Sequence, residues 1–249
     1  MPEIVTAASN RSWPAPAEPP MMEQSWHDLL FAHWAVPAER LRPLVPAPLE
    51  LDTREGTAWL AVTPFRMSGI RWRGFPPVPG TSAFPELNLR TYVRVGDKPG
   101  VYFFSLDAGN PLAVAAARLF LRLPYHWATM TCEPFGVGTS YSSERAVDGR
   151  DPVVFRAYYE PVEGEPVFTA IPGGLEHWLI ERYCLYTLRD GGLDRIEIDH
   201  EPWPLQRAHA RIERNDVPAA AGLDVVPDSP DLLHFARRLD VRVWHPERL

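Results

Sequence analysis

Hydrophobic and polar residues alternate along much of this chain with the two-residue period of β-strands. The clearest alternation runs from residue 86 to 95, where leucine and valine lie mainly on one face and Glu86, Asn88 and Arg90 lie on the other. A Gly- and Pro-containing turn and another apolar run follow, which predicts an antiparallel hairpin. The polar face of this strand either meets solvent or, if the sheet curls, lines a cavity.

The same pattern predicts further strands on both sides of the hairpin. Residues 26–36 are apolar and short, which favours a strand over a buried helical turn, and a short helix follows. Pro64 lies within a strand at 57–67 and indicates an edge or a bulge. Residues 68–85 are predicted to form a long loop. Other strand-like runs lie at 129–133, 137–142, 153–160, 193–201, 205–213 and 232–244.

Two stretches carry helical periodicity instead. Asn110 can cap a helix through its side-chain oxygen, a proline suits the first helical position, and Pro124 ends the helix. The second stretch runs from 175 to 186 after two glycines, and its Glu181 and Arg182 are interpreted as exposed or interface charges. The pattern as a whole predicts an α+β chain that is mostly antiparallel β, with two or three short helices.

The chain divides near residue 22. Residues 1–22 are rich in proline and alanine and lack periodicity, so they are predicted to form a disordered tail. Residues 23–249 show no internal repeat and are predicted to form a single domain.

Composition limits the kinds of binding partner and the cellular compartment that we expect for the protein. A net charge of −7 argues against a nucleic-acid-binding face. No apolar run approaches the roughly 20 residues that span a bilayer, and the N-terminus lacks the basic and apolar regions of a signal peptide. We therefore expect a cytoplasmic protein that binds neither nucleic acid nor membrane.

The common catalytic and cofactor motifs are missing from the sequence. It contains no Walker A loop, no GxGxxG, no GxSxG and no HExxH. Cys132 and Cys184 have no zinc-binding spacing and are interpreted as reduced core residues. The sequence therefore predicts no metal site and no cofactor.

Seven segments together carry a family resemblance over about residues 25–206. They are SWHDLLFAHWAV, FRMSGIRWRGFPPVPG, FPELNLRTYVR, PGVYFFSLDA, LPYH, ERYCLYT and HEPWPLQ. They resemble the DUF2071 or YqjF-like family, an uncharacterised group related to acetoacetate decarboxylase. The resemblance implies a strongly curved antiparallel sheet that closes into a cone or barrel around a small-molecule pocket.

The resemblance also implies which chemistry is missing. The decarboxylases carry an Asn-Pro…Ala-Ala-Gly-Arg helix followed by Pro-Lys-Lys, whose first lysine forms a Schiff base. Here Asn110 and Pro124 fit that pattern, but the two lysine positions fall on Tyr125 and His126. The only lysine, Lys98, lies in the predicted hairpin turn, so an imine-forming decarboxylase is disfavoured.

Three residues are candidates for acid–base catalysis in place of the lysine. The resemblance places Tyr125 at the Schiff-base position and Glu86 on the strand where the decarboxylases carry a pocket glutamate. Adjacent strand positions point to opposite faces, so only one of Tyr125 and His126 is expected in the pocket. We assign Tyr125, Glu86 and His126 as catalytic candidates, the alternatives being a core tyrosine and a structural histidine.

Ligand binding is assigned to the same strand. Arg90 can hold a carboxylate in bidentate fashion, and Asn88 and Tyr92 are assigned to ligand binding with it. The alternative is a plain ion pair between Glu86 and Arg90. His200 is interpreted as a structural residue at a strand end or at the rim of the cavity.

The sequence leaves three classes of function open. The first is an enzyme (lyase, isomerase or hydrolase) that acts on a small organic acid or carbonyl compound without a covalent imine. The second is a non-catalytic module that binds the same ligands. The third is a structural or partner-binding protein with a filled interior, which requires that no cavity of roughly 300 Å³ or more lies near Tyr125. Related decarboxylases form larger assemblies, so a homo-oligomer is also left open.

Overall fold

Fourteen strands join in one sheet in the computed structural model, which describes residues 10–75, 83–223, 227 and 229–249. The strands are β1 (Met22–Pro37), β2 (Glu50–Leu51), β3 (Thr57–Trp72), β4 (Phe84–Val95), β5 (Lys98–Ala108), β6 (Tyr125–Trp127), β7 (Thr129–Phe135), β8 (Gly138–Arg145), β9 (Val153–Pro161), β10 (Cys184–Arg189), β11 (Gly192–His200), β12 (Leu205–Asn215), β13 (Leu232–Val243) and β14 (Glu247–Arg248). The helices are α1 (Ala38–Leu41), α2 (Pro111–Phe120), α3 (Leu175–Ile180) and α4 (Val217–Ala220), with a 3-10 helix at Arg42–Leu44.

The sheet curves until it meets itself. Its strand order is β14-β11-β10-β5-β4-β3-β1-β13-β12-β9-β8-β7, and β11 also pairs with β13. The run from β11 through β10, β5, β4, β3 and β1 to β13 is therefore ring-like, while β12, β9, β8 and β7 extend the sheet from one side. Most pairs are antiparallel, β5 with β6 and β10 being parallel exceptions. The predicted mostly antiparallel, strongly curved sheet is confirmed.

Strand β4 is buried on both faces because it lies between two separate cores. Leu87 and Leu89 pack into the core shared with β8 and β9. Glu86, Asn88 and Arg90 point the other way, toward the inside of the ring, and they are buried as well. The solvent-facing interpretation of this polar face is therefore wrong, and the cavity interpretation describes its position.

Pro64 sits in the interior strand β3, opposite an irregularity in β1. The register pairs His27 with Arg66 and Ala32 with Val62, so β1 carries one residue more than β3 over this stretch. Asp28 adopts a φ of 50° there, as a bulge residue does. Pro64 lies in the stretch of β3 opposite this bulge, and β3 is an interior strand, so the predicted bulge is confirmed and the edge position is wrong.

Helix α2 begins as the sequence predicts. The Asn110 side-chain oxygen accepts hydrogen bonds from the backbone N–H groups of Leu112 (3.0 Å) and Ala113 (3.1 Å). The helix ends at Phe120, before Pro124. None of the described helices is long and apolar enough to cross a membrane.

The Asn110 cap gives a direct test of this helix. Asn110→Ala leaves two first-turn N–H groups without their acceptor and is expected to lower the free energy of unfolding by about 1 kcal/mol. Urea denaturation followed by circular dichroism measures the change. Asn110→Ser restores an acceptor and is expected to recover most of the loss. Equal losses in the two variants would contradict the capping role.

Helix α3 is shorter than predicted. It ends at Ile180, and the residues from Cys184 onward form β10 instead of a last helical turn. The change of direction buries Glu181 and Arg182, both less than a tenth exposed. Their interpretation as exposed or interface charges is therefore wrong.

The segment before β1 contacts the ring from outside. Arg11 donates to the Glu197 carboxylate (2.5 Å) and to the Ile198 carbonyl (2.5 Å), and the Trp13 indole donates to Glu197 at 2.8 Å. Residues 1–9 lie outside the described residues, as do residues 76–82 within the predicted loop 68–85. The bounds predicted for that loop are wrong, since β3 continues to Trp72 and β4 begins at Phe84. The division of the chain into a tail and one domain at residue 22 stays a prediction.

Candidate functional site

A small cavity lies inside the ring. Its volume is about 90 Å³, smaller than the roughly 300 Å³ at which pockets for drug-sized ligands begin. Side chains from all the ring strands line it. Most are apolar, and the polar and indole side chains among them are Gln24, Trp26, Thr63, Glu86, Asn88, Arg90, Tyr125, Arg182, His200 and Trp203.

A carboxyl and a phenol meet at one side of this cavity. Strand β6 pairs with β5 so that Tyr125 lies opposite Leu106, and β5 in turn pairs with β4. This arrangement points Tyr125 at Glu86, and its hydroxyl donates to Glu86 Oε2 at 2.8 Å. Both side chains are buried. The sequence prediction that these two residues face one interior agrees with this geometry.

The surroundings keep protons on both members of the pair. Burial raises the pKa of Glu86 to about 8; repulsion from Asp107 adds to the rise, and the hydrogen bond from Tyr125 opposes it. Burial and the neighbouring Glu86 raise the pKa of Tyr125 well above its usual value. At neutral pH Glu86 is therefore mostly a neutral carboxylic acid, and it becomes a base only as the pH approaches 8.

Unpaired polar atoms lie further along β4. Arg90 Nε and Asn88 Oδ1 are buried and have no hydrogen-bond partner among the described residues. Glu86 and Arg90 form no ion pair within the described chain, because four residues of strand separate their Cα atoms by about 13 Å. The plain ion-pair interpretation is therefore wrong.

Tyr92 lies behind Arg90 and does not line the cavity. Its hydroxyl is 2.7 Å from His33 Nε2, and its ring lies 5.9 Å from the Arg90 guanidinium carbon. The Phe31 ring supports the same guanidinium at 5.2 Å. Tyr92 therefore supports Arg90, while its direct contact with a ligand stays a prediction.

His126 lies on the other face of β6. It is absent from the cavity lining and pairs in register with Asp107, which forms an ion pair with Arg145 at 2.8 Å. Burial, followed by the positive charges of Arg145 and Arg118, lowers the pKa of His126 to about 4. The predicted split between Tyr125 and His126 is thus seen in the structure, with Tyr125 as the cavity residue.

Sequence reasoning missed Arg182 as a cavity residue. Its Nε donates to the Trp178 carbonyl (2.7 Å) and its Nη1 to Asp52 (2.7 Å), while its Nη2 has no partner in the described chain. The one local signal was the position of two charges between apolar runs, LI-ER-YCLY. That signal identifies a buried charge only once helix α3 is known to end before it.

His200 and Gln24 lie between the cavity and the surface. Both line the cavity and also a larger groove on the outside. The His200 ring stacks on Tyr183 with centroids 4.5 Å apart, and its Nδ1 donates to the Glu201 carbonyl at 2.7 Å. His200 is thus held in place at the cavity rim.

The part of the chain that the structure describes forms no metal centre. The described residues contain no group of three or more His, Cys, Asp or Glu side chains placed to hold a metal ion. The chemistry of the cavity is instead that of two arginines, a carboxylic acid and a phenol.

Comparisons with known proteins identify relatives of this chain. The sequence matches DUF2071, described as an uncharacterized conserved protein, over residues 23–240. It is 48% identical over 224 residues to the uncharacterized protein YqjF of Bacillus subtilis (strain 168), covering 90% of each chain.

Solved structures share the fold at much lower identity. The biosynthetic enzyme MppR in complex with pyruvate has a TM-score of 0.61 at 12% identity, over 94% of this chain and 92% of MppR. An acetoacetate decarboxylase-like enzyme from Sphingomonas wittichii RW1 has a TM-score of 0.59 at 14% identity, over 98% of both chains. Acetoacetate decarboxylase has a TM-score of 0.61 at 15% identity, over 94% of this chain and 90% of that chain. At these identities the likeness shows the fold alone.

Proposed function

The chain belongs to the DUF2071 family, and from this premise we propose that its cavity binds a small organic acid or carbonyl compound and moves a proton on it without forming an imine. One observation carries the proposal: the Glu86–Tyr125 pair and the unpaired polar atoms of Asn88 and Arg90 converge on one cavity. Buried polar groups without partners are rare in proteins, and a ligand with acceptors and donors of its own would satisfy them.

Arg90 supplies the charge that favours an acid. Its guanidinium lines the cavity, and no acidic side chain of the described chain pairs with it. A carboxylate can accept two of its N–H groups at once. The fold neighbour MppR was crystallised with pyruvate, which makes pyruvate a reasonable first probe.

The Glu86–Tyr125 pair supplies the proton chemistry. In its ionised form Glu86 takes a proton from the carbon beside a carbonyl, which leaves an enolate, and returning that proton restores the starting compound. Tyr125 holds the carboxyl through its hydrogen bond. Enolisation of this kind is a step that lyases and isomerases share.

An imine route is not proposed, because no amine of the described residues lines the cavity. Lys98 Nζ lies 3.3 Å from Glu197 and near the Trp13 ring, and Lys98 is not among the lining residues. Borohydride treatment with pyruvate is therefore expected to leave the mass of the protein unchanged.

Hydrogen exchange tests the proposed activity. We expect the protein to speed exchange of the pyruvate methyl protons in D₂O, with a rate that rises with pH toward an apparent pKa near 8. Glu86→Gln removes the base and is expected to lower the catalysed rate at least about 100-fold. Proton NMR of the methyl signal measures both rates.

Two further variants test whether the exchange depends on the Glu86–Tyr125 pair. Tyr125→Phe removes a hydrogen bond that lowers the pKa of Glu86, so the rate profile is expected to move to higher pH. Glu133→Gln changes an exposed glutamate of β7 and is expected to have no effect. A rate unchanged by Glu86→Gln would refute the catalytic role. Thermal stabilisation by pyruvate without exchange would support the non-catalytic module instead.

A further inference from the structure

We infer that the cavity selects short carboxylic acids that carry a single negative charge, and that Arg182 and Arg90 together hold the carboxylate. The inference rests on the proposed function and adds to it a second binding residue and a charge limit on the ligand. It is argued from the contacts of the two guanidinium groups, the charges around them and the size of the cavity.

Arg182 is held with one nitrogen unused. Its guanidinium carbon lies 4.5 Å from the Trp178 ring centroid and 5.0 Å from that of Tyr92. Hydrogen bonds to Asp52 and to the Trp178 carbonyl occupy Nη1 and Nε, and the buried Nη2 has no partner in the described chain. A ring-stacked, hydrogen-bonded guanidinium loses little freedom when it binds a ligand.

Arg90 approaches the same Tyr92 ring from its own strand. Both guanidinium groups lie within 6 Å of the centroid of that ring, and both side chains line the cavity. The unpaired Nε of Arg90 and the unpaired Nη2 of Arg182 therefore belong to one basic end of the cavity. Two arginines that each keep a donor unused fit a carboxylate with two acceptor oxygens.

The charges at this end leave an excess of one positive charge. Arg90 and Arg182 contribute two positive charges, and Asp52 pairs with one of them. The buried Glu181 instead accepts hydrogen bonds from the Tyr183 hydroxyl and the Trp203 backbone N–H, and pairs with neither arginine among the described residues. The nearby His33 stays neutral, because burial and the charges of Arg90 and His234 lower its pKa well below its usual value. One monovalent anion balances this end of the cavity.

The rest of the lining gives a second carboxylate no cation: the unpaired donors of Trp26, Trp203 and Thr63 are uncharged, and burial lowers the pKa of His200. Glu86 and Tyr125 lie there, and the remaining lining is mainly apolar. A dicarboxylate would bury its second charge against an acidic residue and hydrocarbon, which is strongly unfavourable. The small volume of the cavity, about 90 Å³, also favours a small ligand.

A binding series with the full-length protein tests the charge limit. Titration calorimetry at pH 6.5 would compare acetate, propionate and pyruvate with malonate and succinate and with the uncharged propanamide. We expect the monocarboxylates to bind at least tenfold more tightly than the other compounds. Succinate or propanamide binding as tightly as propionate would overturn the inference.

Two variants test the arginines. Arg90→Met is expected to weaken propionate binding at least tenfold and to leave the melting temperature equal or higher, because a buried charge without an acidic partner is removed. Arg182→Met alone would leave the buried Asp52 without its cation and could prevent folding. The double variant Asp52→Asn, Arg182→Met is therefore the matched test, and it is expected to weaken propionate binding at least tenfold. Arg211→Met, at a side chain that is 80% exposed, is the control.

The outcomes separate this inference from the proposed function. Exchange of pyruvate protons together with normal binding in the double variant would overturn the role of Arg182 and leave the proposed function standing. Selective monocarboxylate binding that needs both arginines, without exchange, would support the inference and refute the catalysis. Absence of binding by every monocarboxylate would overturn both.

Discussion

Glu86→Gln is expected to make the protein more stable than the parent at alkaline pH, by about 4 kcal/mol at pH 9. The reason is that burial raises the pKa of Glu86 from its ordinary 4.5 to about 8. Each unit of such a shift corresponds to about 1.4 kcal/mol between the two protonation states. Gln carries no charge at any pH and keeps an oxygen that can accept the Tyr125 hydrogen bond.

The sign of the effect follows from where the proton is held more tightly. The folded protein binds the Glu86 proton better than the unfolded chain does, so this group stabilises the fold fully below pH 4.5. That contribution is lost as the pH rises through 8. The parent is therefore expected to lose stability between pH 5 and pH 9, and Glu86→Gln is expected to remove most of that loss.

Urea denaturation at pH 6.5, 7.5, 8.5 and 9.5 measures this difference. The series starts at pH 6.5 because burial also raises the pKa of Asp107, to about 6, and adds a similar loss at lower pH. Glu133→Gln, at an exposed site, is expected to follow the parent curve. If the Glu86→Gln and parent curves stay parallel up to pH 9.5, Glu86 is not a protonated buried acid.

A stable Glu86→Gln variant would also bear on function. Ionisation of a buried acid destabilises the fold, and an uncharged side chain of similar size would fill the same space without that loss. If the same substitution raises stability and stops proton exchange, the acid is present for chemistry. If it raises stability and leaves ligand binding and exchange unchanged, the residue has no role in the cavity.

Local patterns in the sequence predicted the strands well because alternation is a local property. The faces of β4 could be read from its period of two, and the Asn110 cap from residue types at fixed spacing. The period of two does not say which face meets solvent. Closure of the sheet, through β11 pairing with β13, is what buries Glu86 and Arg90, and that pairing joins residues more than forty positions apart.

The site residues that the sequence did not predict also depend on pairing between distant strands. The end of α3 depends on how the chain enters β10, which pairs with the distant strand β5. Because that end was not predicted, Arg182 was placed on an exposed helix face. Helical periodicity in α2 located the helix, but Leu112 and Phe120 on it are well exposed, so periodicity did not identify which side chains enter the core.

Arg145→Met is the second large effect, with an expected loss of about 3 kcal/mol in the free energy of unfolding at pH 8. The Arg145 guanidinium lies 2.8 Å from Asp107, and the two side chains are 9% and 1% exposed. Removing the arginine leaves the aspartate charge buried without its cation. The double variant Asp107→Asn, Arg145→Met removes both charges and is expected to recover most of the loss.

The size of this loss is expected to depend on pH in a way that packing would not. The pKa of Asp107 is already raised to about 6, because burial outweighs the attraction of Arg145. At pH 5 the aspartate is therefore mostly neutral in the parent, and the arginine contributes little to its stability. The loss in Arg145→Met is expected to fall below about 1 kcal/mol there.

The pKa of His126 is an independent measure of the Arg145 charge. The positive charge of Arg145 is one of the causes, after burial, that hold the pKa of His126 near 4. NMR titration of the His126 ring protons in Arg145→Met is expected to show a higher pKa, while the opposite-face pair Glu86–Tyr125 keeps its hydrogen bond. A loss of stability that is equal at pH 5 and pH 8, with an unchanged His126 pKa, would mean that Arg145 acts through packing. In that case the Asp107–Arg145 ion pair on the His126 face of β6 would have no electrostatic role. The expected results instead give that face an ion pair and give the Tyr125 face a protonated Glu86 that accepts a hydrogen bond.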